Sequence, residues 1–300
     1  MSFPTTKAGG EPACDKVPML NWRAHDLVFF DCDSTLTRVE GIDELARLKD
    51  VFDEVQRLTA SAMDGEVHLA SVYDQRLELL RPTRAEIRAV ERLYHANQVP
   101  DTPELIAALQ FLGRQVFIVS GGLALAVIPF GESLGVPREN IRAVTVAFDR
   151  LAGRWWDYRL DRKGFNPDER YLNHDAGPLT ETCGKADIVR QLRKGRSGRA
   201  LLVGDGVSDL MAQPAVDLLV GFGGVVRRDR VVAEADVFID CASLAPVLPL
   251  SASPSDSRRC AKAGFGTLID KGLRFIREGA VHFRDSAVRE RILQAYFGAP

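Results

Sequence analysis

Two aspartates one residue apart, Asp31 and Asp33, follow four consecutive apolar residues, Leu27 to Phe30, and precede two hydroxyls, Ser34 and Thr35. Four apolar residues are short for a helix and suit a strand buried on both faces. The carboxyl end of such a strand is where open α/β sheets bind ligands. Two carboxylates so close together are unfavourable unless something positive sits between them, and a hard, oxygen-seeking cation such as Mg²⁺ is the natural candidate. A polar turn after a buried strand explains the same letters equally well. The downstream residues tilt the balance.

A second apolar run, Ala200 to Val203, ends in Gly204-Asp205-Gly206-Val207-Ser208-Asp209, another acid-bearing turn. A third, Gln115 to Val119, ends in Ser120-Gly121-Gly122 before an apolar helix from Leu123 to about Leu134. Backbone N–H groups at such a turn can hold an anion, although a tight glycine turn needs no ligand. Lys185 opens a helix running to Leu192, where the dipole slightly disfavours a cation unless a carboxylate or anion pairs with it. In a parallel sheet all these strand ends share one edge. Asp31, Asp33, Asp205, Asp209, Ser120 and Lys185 together would suit phosphoryl transfer, with metal and lysine neutralising charge and a carboxylate able to attack phosphorus directly.

The elements that would position these residues follow an α/β order. Residues 1–24, with three prolines and two glycines, read as a loose lead-in. Residues 42–97 are helical by apolar spacing, with Pro82 as a break, and interrupt the βα alternation as an inserted helical cap over the acid edge. Thr102-Pro103-Glu104 starts a helix to about Gly113, with Thr102 as cap. The runs 141–148 and 154–160 suggest a hairpin, residues 161–182 a long surface loop, and Trp155 and Trp156 packing. Strands Leu218–Val220 and Val237–Ile239 around a helix near Val225–Ala233 complete a doubly wound parallel sheet of about five strands, a Rossmann-like core formed by residues 25–41 and 98–250. SASPSDS, from Ser251, reads as a linker into a helical C-terminal extension over 251–300.

Composition narrows the class. The chain has 300 residues, 46% of them hydrophobic, and a net charge of −2, so no global field favours nucleic acid or an anionic membrane. Five scattered cysteines without a CxxC pair argue against a zinc site or disulfide framework. No apolar stretch approaches the ~18 residues of a membrane span or forms a signal peptide, so a cytoplasmic setting is expected. A homodimer is left open.

At these residues the chain resembles a known family. DCDST, Ser120-Gly121, Lys185 and GDGVSD match in order the four motifs of the haloacid dehalogenase superfamily, and within it the chain is similar to the phosphoserine phosphatase family over roughly residues 27–245. The likeness includes EGIDELA from Glu40, AMDGEV from Ala62, Arg76, and GFGGVVRR from Gly221. The resemblance implies Mg²⁺-dependent hydrolysis of O-phospho-L-serine through an aspartyl phosphate, completing serine synthesis. It implies Asp31 as nucleophile and Asp33 as general acid, with Ser120, Gly121 and Lys185 on the phosphoryl oxygens. Metal would fall to Asp31, the Asp33 carbonyl and Asp205, supported by Asp209. Glu40 would meet the substrate ammonium and Arg76 its carboxylate, a bidentate match that lysine cannot copy. Met63 would join the substrate pocket.

The chain departs from the family at Leu69, where a phenylalanine is common, and at Ser208, where Asn or Thr is expected. The 161–180 loop looks long and the tail has no counterpart. These departures keep open a phosphatase or phosphotransferase for another small phosphomonoester. A non-catalytic binding protein would be expected to have lost an aspartate or the lysine, and neither is lost.

Overall fold

The computed structural model describes residues 24–63, 69–149, 151 and 166–298, and the side chains of 60–63 and 69–70 fall outside what is described. Strand β1 (Leu27–Phe30) leads into four helices, α1 (Gly41–Leu48), α2 (Phe52–Met63), α3 (Leu69–Leu80) and α4 (Arg84–Ala96), which form the expected cap. Then follow α5 (Thr102–Phe111), β2 (Gln115–Leu123), α6 (Ala124–Ser133), β3 (Ile141–Val144), β4 (Val146–Asp149) and β5 (Arg170–His174). The core resumes with α7 (Gly184–Arg193), β6 (Ala200–Gly204), α8 (Val207–Met211), β7 (Leu218–Phe222), α9 (Asp229–Glu234) and β8 (Val237–Ile239). The extension supplies α10 (Val247–Ser251), α11 (Pro254–Cys260), α12 (Gly266–Glu278), β9 (Val281–Phe283) and α13 (Ser286–Phe297).

Among the described residues the main sheet has seven strands in the order β3-β2-β1-β6-β7-β8-β9, parallel except for β9, which runs antiparallel to β8. The four apolar residues of β1 divide between the two faces as strand periodicity demands. Val28 and Phe30 join the core under α4, α5 and α6, while Leu27 and Phe29 join the core beneath α7. Chain order reverses across β1 and β6, so Asp31 and Asp205 flank the crevice where this architecture binds ligands.

Several local expectations change. The run 141–148 splits at Thr145 into β3, which pairs with β2, and β4, whose antiparallel partner is β5. That partner lies inside the stretch expected to be loop, because only Tyr171 of its five residues is buried and the apolar signal is faint. The second arm of the expected hairpin, Trp155 and Trp156 included, lies outside the described residues. Asp101, at φ 72, rather than Thr102, occupies the cap position of α5. The apparent linker SASPSDS is a helix start: Ser253 Oγ accepts from the Asp256 amide and the Asp256 carboxylate accepts from the Ser253 amide. The sheet gains two strands over the expected five: β3 joins at the β2 edge, and β9, in the mostly helical tail, covers the β8 edge.

Candidate active site

The turn after β1 is tight: the amides of Thr35, Leu36 and Thr37 all donate to the Cys32 carbonyl, and Ser34 sits at φ 51 in the left-handed region. Holding a non-glycine residue there costs on the order of 1 kcal/mol. Ser34 Oγ donates to Glu40 Oε1 at 2.7 Å, which binds the turn to the start of α1.

Asp31 and Asp209 meet at Lys185. Its Nζ lies 2.6 Å from Asp31 Oδ2 and 2.8 Å from Asp209 Oδ1, with all three side chains nearly buried. The carboxylate expected beside the helix-opening lysine is therefore doubled. Burial alone would lower the lysine pKa, but Asp209 and Asp31 hold it above its ordinary value. Two glycines make the packing feasible. A Cβ at Gly184 would strike the Pro178 carbonyl, and one at Gly204 would strike the Asp209 carboxylate.

Asp31, Asp205 and Asp209 each offer a carboxylate oxygen within 4.8 Å of the others. Burial, then the charges of Glu40 and Asp31, push Asp205 well above the usual carboxylate range, and burial pushes Asp209 up to about 6. The cluster is thus short of positive charge despite Lys185. An all-oxygen, acid-rich donor set of this kind fits a hard divalent cation. Asp33 is different: its Oδ1 accepts from the Gly41 amide at 2.9 Å and the Tyr94 hydroxyl at 2.6 Å, so its carboxylate stays outside the triad. Burial and the neighbouring Glu40 raise its pKa to about 8, which suits a group that carries a proton near neutrality.

Asp31, Asp33, Glu40, Arg76, Gly121 and Lys185 line one cavity of about 800 Å³ between the sheet edge and the helical cap. Ser120, next to the lining residue Gly121, is itself fully buried, its Oγ accepting from the Gly122 amide at 3.0 Å. Arg76 approaches from α3, stacked 5.6 Å from the Tyr73 ring centroid, with Nη1 3.4 Å from Thr59 Oγ1. Its Nε is buried and has no hydrogen-bond partner among the described residues. Glu40 and Arg76 face the same space without pairing. Met63 ends α2 and Leu69 begins α3, but both side chains lie outside the described set.

Three contributors escaped the sequence. Arg228 reaches in from the loop before α9, 3.2 Å from Asp205 Oδ2 and 3.7 Å from Glu40 Oε1. The helix expected over Val225–Ala233 begins only at Asp229, which frees that loop. Tyr73 donates to the Gly121 carbonyl at 2.9 Å, and Tyr94 donates to Asp33. Both tyrosines fall at apolar helix positions, so they read as core. The GFGGVVRR run was the one available signal for Arg228.

A family model for haloacid dehalogenase-like hydrolases matches residues 25–217. The chain is 33% identical to the phosphoserine phosphatase of Bos taurus over 215 residues, 71% of this chain and 88% of that one. It is 34% identical over 221 residues to the chloroplastic phosphoserine phosphatase of Arabidopsis thaliana, covering 73% of this chain and 70% of the relative. A solved phospho-aspartyl intermediate analogue of phosphoserine phosphatase superposes with a TM-score of 0.61 at 23% identity over 75% of this chain and 98% of the other, a likeness of fold. Among the described residues no helix is long and apolar enough to cross a membrane. With the motifs gathered at one sheet edge and the match spanning most of the chain, this protein belongs to the haloacid dehalogenase-like hydrolases, in their phosphoserine phosphatase family.

Proposed function

We propose that this protein hydrolyses O-phospho-L-serine to L-serine and phosphate, the closing step of serine synthesis. The observation that carries the reading is that Arg76, whose Nε is buried without a hydrogen-bond partner among the described residues, lines the same cavity as Glu40 and the acidic crevice. A buried guanidinium nitrogen without an acceptor is costly, and a substrate carboxylate supplies one. Glu40 supplies the opposite charge for an ammonium. Together they suit the zwitterionic end of an amino acid, while Lys185 and the Ser120-Gly121 turn suit its phosphate.

In the reaction an Asp31 carboxylate oxygen bonds to phosphorus, the bond from phosphorus to the serine oxygen breaks, and the proton on Asp33 passes to that oxygen. Serine leaves and an aspartyl phosphate remains. Asp33, now a carboxylate, takes a proton from water as its oxygen attacks phosphorus. Phosphate departs, and the Asp31 carboxylate is restored. Lys185 holds Asp31 oriented and offsets charge on the transferring group. Mg²⁺, held by Asp31, Asp205 and Asp209 with the Asp33 main-chain carbonyl, would supply the positive charge that lets a phosphate enter among carboxylates. Helices α1 to α4 serve as the substrate-recognising cap.

The cavity's 800 Å³ also leaves room for a larger phosphomonoester, or for an acceptor alcohol in place of water. A panel of phosphomonoesters, assayed after chelation and again with Mg²⁺ restored, separates these readings. Phosphoserine should lead the panel, chelated enzyme should be inactive, and Asp31→Asn should lose turnover and yield no phosphoenzyme on rapid acid quench. Preference for another ester would remove the substrate assignment, and near-native rates in Asp31→Asn would remove the nucleophile.

A further inference from the structure

We propose that Tyr94 is a positioning residue for the proton donor. Its hydroxyl locks the Asp33 carboxyl so that Oδ1 is occupied by the protein and Oδ2 is the oxygen presented to the substrate. The inference rests on Asp33 acting as the acid, as put forward above.

Two donors converge on one oxygen: the Gly41 amide at 2.9 Å and the Tyr94 hydroxyl at 2.6 Å both reach Asp33 Oδ1. Oδ2 points the other way. A Cβ on Gly122 would lie 2.7 Å from it, so it faces the turn that follows Ser120, where the phosphate would rest. With Oδ1 accepting twice, the oxygen free to carry a transferable proton is the one on the substrate side.

Tyr94 is itself fixed. It is fully buried, its ring set edge-on to Phe130 with centroids 5.5 Å apart. Position 41 leaves space for the hydroxyl, since a Cβ there would collide with it. Apolar packing alone would be satisfied by phenylalanine, and a buried phenol is tolerated only with a partner such as this one. Because Tyr94 belongs to α4 and Asp33 to the turn after β1, the bond also links the aim of the acid to the seating of the cap.

The consequence is a dependence on leaving group. A serine alkoxide needs the proton from Asp33 as its bond to phosphorus breaks, whereas p-nitrophenolate departs as a stable anion. Tyr94→Phe keeps the ring and removes the hydroxyl. It should lower kcat/KM for phosphoserine on the order of 10- to 100-fold, at or below the usual contribution of general acid catalysis. The value for p-nitrophenyl phosphate should stay within about threefold. In an Asp33→Asn background the same change should add no further loss on phosphoserine. Phe130→Leu, which disturbs the same packing but keeps the hydroxyl, should lower stability without the split between substrates. Equal losses on both substrates in Tyr94→Phe, or none on either, would overturn the proposal. If wild-type enzyme ignores phosphoserine but cleaves other alkyl phosphates, the substrate reading fails and the Tyr94 comparison proceeds on those esters.

Discussion

Lys271 Nζ lies 2.7 Å from Oδ2 and 2.9 Å from Oδ1 of Asp101. Asp101 stands at φ 72, where the chain returns from the helical cap into α5, and Ser243 Oγ donates to the same carboxylate at 2.5 Å. A left-handed aspartate costs on the order of 1 kcal/mol and persists only where its surroundings hold it. Lys271 belongs to α12, in the extension beyond the family match that ends at residue 217. The extension therefore braces the point where the chain returns from the cap as well as covering the sheet edge.

Removing that brace should be measurable. Lys271→Met keeps the aliphatic stem and deletes the charge, and because the pair is partly exposed the cost should be about 1 kcal/mol. Urea unfolding of the full chain reads it as a lowered midpoint at constant slope. An unchanged midpoint would mean that the Lys271 contact leaves the strained aspartate no better held.

His25, fully buried just before β1, has a pKa pushed from 6.5 to about 3, mainly by burial and then by Arg199. The folded state keeps this imidazole neutral, while the unfolded chain protonates it near pH 6.5. Between pH 6.5 and 3 the unfolded state thus binds more protons, so its contribution is complete above pH 6.5 and is lost as pH falls. The slope approaches about 1.4 kcal/mol per pH unit. The raised carboxyls of Asp33, Asp205 and Asp209 act in the opposite sense over part of this range, so the wild type alone would blur the effect. Comparing His25→Gln with wild type at pH 7 and pH 5 cancels them. The variant should lose about 2 kcal/mol less than wild type over that interval, and parallel losses would sink the assignment.

The acidic edge was legible because its signals are local. An uninterrupted apolar run such as Leu27 to Phe30 or Ala200 to Val203 suits a strand buried on two faces, and acid immediately after it marks the carboxyl end. What stayed hidden depends on distant partners. Tyr94 follows Ile87 and Val90 at helical spacing and reads as core, and nothing near it in sequence signals that Asp33 lies 2.6 Å from its hydroxyl. Arg228 looks like one more surface cation until Asp205 is brought beside it. The β4–β5 pair is hidden because its partners are far apart in sequence, with the competing run 154–160 between them, and bury little. Ser253 reads as linker because cap residues and linker residues are the same types, distinguished only by the helix that follows.

Arg76 gives the sharpest test of substrate choice. Its Nε has no partner among the described residues, burial lowers its pKa, and its hydrogen bond to Thr59 is a long one at 3.4 Å. If the guanidinium takes the phosphoserine carboxylate through two charge-assisted bonds, Arg76→Ala should cost about 2 to 5 kcal/mol in kcat/KM for that substrate. That is roughly thirty- to several-thousand-fold. Arg76→Lys should recover little, because an ammonium keeps the charge but loses the fork geometry. Phosphoethanolamine, which lacks the carboxylate, should be a poor substrate for wild type and change little in either variant. Both substrates should be measured with all three enzymes. Equal losses on the two would assign Arg76 to holding the cap, and the proposed activity would contract to hydrolysis of an unspecified small phosphomonoester.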